Sequence, residues 1–392
     1  MESNNLKEIL IFTDWYYPGF KAGGPIQSVY NLANLLSLQT NVKVVTRNTD
    51  YGSATEYSEI KPNTWFTLSK NHQVMYLSKS NLGFKTIKSI IKESNDKVII
   101  INGIFSFWFS ILPLFFANIT SISNIFISVR GMLHQSALSI KPTKKLMFLA
   151  FARGIDLYKK TTFLATSEHE KNEIYRYFSK STIQIVPNIP MYPIHSIELD
   201  NKQWRSSDKS LRLLFLGRIS PEKNPLTLLN ALKNTPLKIH VHFVGSCIDS
   251  HYQQLFESSL KELPVNIHSK WTKEIPHHLL SQVFHDTDVM VMPSLGENFG
   301  HSIFESFAHA VPVIIGNNTP WKQIQEHHAG IEINPESTTE LINAIQYFDS
   351  LSIEQYHLWK MGSHQLAMNY FNDNHFEEVY FKVLDLTLST NK

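Results

Sequence analysis

The stretch Met292–Gly316, "MPSLGENFGHSIFESFAHAVPVIIG", sets Glu297 and Glu305 on either side of a Phe-Gly-His. Its pattern predicts a strand end, a helix beginning near Gly300, and a further strand opened by Pro312 and Val313. A helix start presents amide N–H groups without intrahelical partners, together with the positive end of the macrodipole. A carboxylate just before that start can accept hydrogen bonds from the hydroxyls of a polyol, and the amides can take an anion. An acid near a helix start is also an ordinary capping feature. For Glu305 alone that reading stands beside the functional one.

A second chemical constellation is "FLGRISPEKNPLTLLNAL", Phe215–Leu232. A strand ends at Gly217, Arg218 follows, and Lys223 stands just before a helix. Two cations beside a helix N-terminus suit a diphosphate; alternatively, Glu222 pairs with them on a surface loop. The third is "FKAGGPIQSVYNL", where Gly23 and Gly24 separate the first strand from the first helix. Glycine there lets backbone approach an anion closely, although a Gly-Gly also makes a simple turn. Asp286 and Asp288 form an Asp-x-Asp string of the kind that can hold a divalent metal. Because Asp288 opens an apolar strand, no metal is expected there. The 18 histidines show no paired ligand spacing, and the adjacent pairs at 277–278 and 327–328 point to different faces.

These residues need a scaffold that delivers them to one edge. Strand patterns "EILIFTDW", "VKVVTRN", "KVIIIN", "NIFISVRG" and "TTFLATS" alternate with helical ones such as "PIQSVYNLANLLS". A second alternating set runs through "LRLLFLGR", "LKIHVHFVG", "VNIHSKW", "DVMVMPS", "VPVIIG" and "GIEI", with helical "NPLTLLNALKN" and "HHLLSQVFH" between. Alternation of this kind means βαβ units and parallel sheets. The expected organisation is an N-terminal Rossmann-like domain over 1–195, a polar linker over 196–209, a C-terminal Rossmann-like domain over 210–370, and a final segment over 371–392. That segment contains the amphipathic helix "NHFEEVYFKVLDLTL", expected to pack back toward the N-terminal domain.

Composition narrows the class. A chain of 392 residues, 43% apolar and 12% aromatic, is ample for two packed cores. One cysteine, Cys247, leaves no intramolecular disulfide framework and fits a reducing compartment. The N-terminus carries acids and no basic-then-apolar leader pattern, so a cytoplasmic protein is expected. Val98–Ile119 is uncharged over a length that could span a bilayer. However, Asn102, Gly103 and Pro113 interrupt it, and a buried strand followed by a buried helix accounts for it equally. The net charge of +2 divides unevenly: residues 1–190 carry 21 Lys and Arg against 12 acids, and the remainder 15 against 22. A basic half of this kind can face phosphates, nucleic acid or an anionic membrane, or simply carry solvated lysines.

Taken together, the motifs resemble those of retaining glycosyltransferases of family 4, of the bacterial surface-polysaccharide type, which have the GT-B fold. "GRISPEK" is similar to the family's diphosphate-binding Arg and Lys, onto Arg218 and Lys223, and "ENFGHSIFE" to its paired acids, onto Glu297 and Glu305. "ISVRGML" and "VPN" resemble further segments of such members. The resemblance implies two doubly wound α/β domains facing across a cleft. Glu297 would touch the donor sugar and Glu305 the ribose. The amides of Phe299, Gly300, His301, Ser302 and Ile303 would hold hydroxyls and phosphate, while Gly23 and Gly24 close on the diphosphate. Family members often carry His where this chain reads "NGIFSFW" and "VRGMLH", which leaves Asn102, Arg130 and His134 as loose candidates, Arg130 foremost. The family's usual glycine is missing from "IHSKWTKEIP", and the nucleobase contact is assigned near Trp271.

The implied activity is transfer from a nucleotide-diphosphate sugar to a saccharide or polyprenyl-diphosphate-linked acceptor, a hexosyltransferase-class reaction needing no metal and no cofactor. The site would stabilise the departing diphosphate electrostatically. An anionic membrane surface is an expected partner, at the inner face of the cell membrane, and nucleic acid is not. The rival readings are a protein that binds a nucleotide sugar without turnover, and a sugar-nucleotide epimerase or phosphorylase on the same architecture.

Overall fold

β-branched runs flanked by amphipathic segments give the chain its alternating elements, in a computed structural model that describes residues 7–93, 98–120, 122, 124–139, 142–191, 209–273, 275 and 279–386. The chain divides into two units, Met1–Pro190 with Asn374–Lys392, and Met191–Asp373. The linker expected over 196–209 falls almost wholly outside the described residues.

The first unit runs β1 (Glu8–Phe12), α1 (Gly24–Ser37), β2 (Asn41–Arg47), β3 (Trp65–Ser69), β4 (His72–Leu77), α2 (Phe84–Lys92), β5 (Val98–Asn102), α3 (Leu112–Asn118), β6 (Ile125–Ser128), α4 (Gln135–Leu138), α5 (Pro142–Gly154), β7 (Thr161–Ala165), α6 (Glu168–Tyr177) and β8 (Thr182–Ile185). Its sheet has the order β3-β4-β2-β1-β5-β6-β7-β8. All neighbours are parallel except β3 with β4. Strand order reverses between β1 and β5. Right-handed crossovers therefore carry α2, α3, α5 and α6 over one face and α1 over the other. In agreement, Ile87, Leu114, Leu149 and Ile174 share one apolar cluster that contains no residue of α1.

The uncharged segment Val98–Ile119 resolves into buried β5, a π turn at Phe107–Ile111 and the short α3. No helix among the described residues is long and apolar enough to cross a membrane. β3, β4 and β8 have no counterpart among the sequence-based strands. β3 and β8 end the sheet, are half exposed, and lack the continuous apolar run that marks a strand buried on both faces.

The second unit comprises β9 (Leu211–Leu216), α7 (Pro225–Lys233), β10 (Ile239–Val244), α8 (Ser250–Lys261), β11 (Ile267–Thr272), α9 (Leu280–His285), β12 (Val289–Met292), α10 (His301–Ala308), β13 (Val313–Gly316), β14 (Gly330–Ile333), α11 (Thr338–Ser350) and α12 (Ile353–Asp373). The sheet is wholly parallel, in the order β11-β10-β9-β12-β13-β14, and here the reversal falls between β9 and β12. Open sheets of this kind bind ligands beyond the carboxyl ends of the strands at that reversal.

After α12 the chain turns at His375, in a left-handed conformation, into α13 (Phe376–Val383). This helix belongs to the first unit, where Tyr380 Oη donates to the Pro187 carbonyl at 2.9 Å and Gln39 bonds Glu377.

His72, at the start of β4, is buried. Its Nδ1–H donates to Asn34 Oδ1 at 3.1 Å and its Nε2 accepts from Tyr16 Oη at 2.9 Å. Burial pushes its pKa from 6.5 down to about 4. As pH falls from 6.5 toward about 4, unfolded chains take up a proton that the folded ring refuses, so stability is lost across that window and is fully present above it. In urea unfolding across the same range, His72→Gln should show a shallower loss of stability than the parent. Parallel curves would contradict the buried neutral ring.

Candidate active site

Arg218, Lys223 and Glu297, candidate residues of the second unit, gather at the β9/β12 reversal. β9 and β10 end in glycines because their backbones nearly touch: a Cβ on Gly245 would lie 1.9 Å from the Gly217 carbonyl oxygen. That close approach brings Gly217 to the sheet's edge and starts the Arg218–Asn224 loop there. Asn224 caps α7 in a left-handed conformation, with Pro225 in the first turn, where its missing N–H costs nothing. From the neighbouring strand, Ser294 and Leu295 tie to this loop: Leu295 N–H donates to the Glu222 carbonyl at 2.9 Å, and Ser294 Oγ to the same oxygen at 3.3 Å.

This backbone tie sets the charged side chains face to face. Lys223 Nζ lies 2.7 Å from both Glu297 oxygens, with side chains only 15% and 8% exposed. Arg218 Nη2 reaches Glu222 Oε2 at 3.3 Å, a half-exposed pair, and Glu222 is also 3.9 Å from Lys223. Of the sequence-based alternatives, the pairing with Glu222 on the loop is seen in part. Glu222 does pair with Arg218, and Lys223 turns chiefly to Glu297. The two cations and two carboxylates form a neutralised cluster in which an incoming anion can exchange with carboxylates.

α10 begins at Gly300, which adopts a left-handed conformation. His301 and Ser302 are half-buried in its first turn, and Glu305 is buried one turn further on. One of the candidate amides here is already bonded within the fold. The Ile303 amide donates to the Gly300 carbonyl at 2.9 Å and its side chain is fully buried, so it is not presented to a ligand. Phe299 is buried against Trp321 and Tyr370, and its carbonyl accepts from Trp321 Nε1 at 2.6 Å. Trp271 lies on edge strand β11, two strands from β9, with its indole N–H donating to the Gly245 carbonyl at 2.9 Å.

Asp288 and Asp286 do not converge. Buried Asp288 is held by Arg212, whose Nη2 and Nε approach it at 2.6 and 3.0 Å, and Asp286 lies exposed beside His285. His277 and His278 lie outside the described residues.

In the first unit, Gly23 precedes α1 with φ +66°, and a Cβ there would meet open space. Gly24 is the first residue of α1. The preceding loop hangs on Asp50, a residue with no sequence signal, whose carboxylate accepts the amides of Phe20 at 3.0 Å and Lys21 at 3.3 Å. Arg130, left-handed at φ +54°, reaches Asn102 at 3.3 Å and also bonds Asn188. Buried Glu170 fixes the turn by accepting from Gly131 N–H at 2.6 Å and Thr166 N–H at 2.8 Å. His134, His169 and Glu173 bring one ligand atom each within 4.8 Å of one another, a set that could hold a metal ion. Only the i, i+4 spacing of His169 and Glu173 hints at it in sequence.

Comparison with known proteins bears on the fold and on the second unit. Residues 196–361 match the family model of glycosyl transferases group 1. The matched stretch lies within the second unit. A 2-deoxystreptamine N-acetyl-D-glucosaminyltransferase of Niallia circulans is 32% identical over 107 residues, 27% of each chain. An uncharacterized 41.2 kDa protein in the cps region of Klebsiella pneumoniae is 26% identical over 177 residues, 45% of this chain and 46% of that one. The matched portion thus spans less than half the length of either relative. Among solved structures, sucrose-phosphate synthase from Thermosynechococcus elongatus superposes with TM-score 0.71 at 17% identity, covering 97% of this chain and 98% of the other. Anabaena HepE in complex with UDP-glucose gives 0.68 at 15% identity, covering 97% of this chain and all of that one. The fold is the two-domain α/β GT-B type.

The difference in burial between the two cation pairs has a measurable consequence. Lys223→Met strands the Glu297 carboxylate and should cost about 2–4 kcal/mol of unfolding free energy in urea. Arg218→Met breaks a half-exposed pair and should change it by less than about 1 kcal/mol. Equal losses would mean that the Lys223–Glu297 pair is no better shielded than a surface pair.

Proposed function

We propose that the protein is a retaining glycosyltransferase that moves a sugar from a nucleoside-diphosphate sugar to a saccharide acceptor carried on a lipid, in the assembly of a surface polysaccharide. The observation that carries the reading is the meeting of Arg218, Lys223 and Glu297 with the start of α10 at the β9/β12 reversal. The group 1 match over the same unit supports it, as does the nucleotide sugar bound by a protein of the same fold. The polysaccharide assignment draws on the motif resemblance, with the relative from a cps region beside it.

On this reading Arg218 and Lys223 take the diphosphate, whose oxygens replace the carboxylates those side chains now hold. As the glycosidic bond breaks, negative charge grows on the leaving diphosphate. Two fixed cations and the amides at the start of α10 stabilise it without waiting for solvent to reorganise. Glu297, released from Lys223, accepts hydrogen bonds from the donor sugar and orients it. Glu305, held inside α10, receives the ribose. The acceptor approaches on the face that the diphosphate leaves, which retains configuration, and a phosphate oxygen takes its proton. The first unit serves the acceptor, with Arg130 at the carboxyl edge of its sheet. The protein works in the cytoplasm at the inner face of the membrane.

The two acids separate by assay. Glu297→Gln should lower transfer at least about tenfold while leaving calorimetric affinity for the free nucleoside diphosphate within about threefold, because its partner is the sugar. Glu305→Gln should weaken the free nucleotide itself by about 1–3 kcal/mol, the cost of a lost charge-assisted contact. The reverse order would exchange the assignments. Transfer should also persist in excess chelator; complete loss restored by magnesium or manganese would require a metal under the diphosphate.

A further inference from the structure

α5 is an unusual surface helix. Leu149 and Ala152 face the sheet and are buried, yet Leu146, Met147 and Phe151 point outward, Met147 being 68% and Phe151 61% exposed. A helix apolar on its outer side as well needs something to cover it. The neighbouring segments on the same face of the sheet repeat the pattern, with Phe84 at the start of α2 56% exposed and Phe107 after β5 46% exposed. These side chains belong to one neighbourhood. Phe84 and Phe107 have ring centroids 5.9 Å apart, and the adjoining Phe105 lies 5.8 Å from Phe148 of α5. Lys145 Nζ stands 5.4 Å over the Phe105 ring.

Charge says what the cover must be. Lys85 and Lys88 stand in the first half of α2 and Lys144 and Lys145 in the first turn of α5; neither helix carries an acid, and residues 105–120 carry no charge. A second copy of this face would bring like charges together, whereas an anionic lipid surface complements them. Long basic side chains can lie along apolar surface and reach headgroups while the aromatic and Met side chains enter the acyl boundary. Lys141, the first residue of the basic string "KPTKK", lies outside the described residues.

We propose that the face built by the start of α2, the Phe105–Phe107 segment and the outer side of α5 docks on an anionic lipid bilayer. α2 and α5 begin after β4 and β6, so their N-terminal ends rise from the carboxyl edge of the parallel sheet. Arg130 occupies that same edge. Docking there holds the acceptor edge of the first unit at the lipid surface. This deepens the reading of a lipid-borne acceptor, but the binding itself needs no transfer to be seen.

The test is cosedimentation of the full chain with vesicles of phosphatidylcholine containing phosphatidylglycerol, and with phosphatidylcholine alone, across a salt series. Expected is binding to the anionic vesicles that fades with salt, and none to the neutral ones. Met147→Glu with Phe151→Glu should lower the partition about tenfold or more. Leu358→Glu, on an exposed position of α12, should leave it unchanged. Thermal unfolding of each variant establishes that the fold is kept. Absence of binding by the parent chain, or binding indifferent to the double substitution, would overturn the proposal. So would a dimer in sedimentation velocity that Met147→Glu dissolves, because a second copy would then cover the face. Transfer to a soluble saccharide acceptor, measured alongside, separates the two readings: if transfer persists without vesicle binding, only the docking fails.

Discussion

The contact between Lys223 and Glu297 joins the chain leaving β9 to the chain leaving β12, at the point where the second sheet reverses its strand order. A lysine and a glutamate this shielded are stable only together, since either alone would be a nearly buried, uncompensated charge. Their meeting depends on backbone closeness that few residues permit. A Cβ on Gly245 would overlap the Gly217 carbonyl, and one on Gly316 would lie 2.2 Å from the Ser294 carbonyl oxygen. The strand ends therefore crowd together, and the loops they launch share hydrogen bonds through Glu222 before any side-chain charge is counted.

The pair also gives the site its chemical character. An anion entering this edge meets cations already compensated, so it gains by exchange rather than by simple addition. A bare anion must compete with Glu297 for Lys223. A nucleoside-diphosphate sugar offers that carboxylate hydroxyls to bind in return. The arrangement, on the proposed function, favours a ligand that is anionic and hydroxyl-rich at once over an inorganic anion. On the proposed function, the same exchange readies Glu297 for the sugar only when a donor is present.

Much of this was legible in the amino-acid sequence, for physical reasons. Strands buried on both faces of a parallel sheet must be largely apolar, so β1, β5, β9, β12 and β13 stand out as short apolar runs. Charged residues at strand ends beside helix starts, such as Arg218, Lys223 and Glu297, are conspicuous because nothing in the core needs them. What escaped was set by tertiary contact. Edge strands β3 and β8 alternate too weakly to be seen. Asp50 holds the loop before Gly23 through backbone amides thirty residues away, a bond with no local signature. The side chains of Ile303 and Phe299 lie inside the motif but are buried, Ile303 because a helix of eight residues must bury one side and Phe299 by its contacts with Trp321 and Tyr370. The Asp-x-Asp string shows the opposite: its spacing suggested a metal, and the pairing of Asp288 with Arg212 explains its presence without one.

The central claim is that the β9/β12 edge of the second unit receives a nucleotide diphosphate. It is tested most directly by a crystal structure of the full chain soaked with a nucleoside diphosphate. The account predicts phosphate oxygens against Arg218 and Lys223, the Lys223–Glu297 distance lengthened beyond hydrogen-bonding range, and ribose hydroxyls at Glu305. A diphosphate bound elsewhere, with the Lys223–Glu297 contact unbroken, would contradict it.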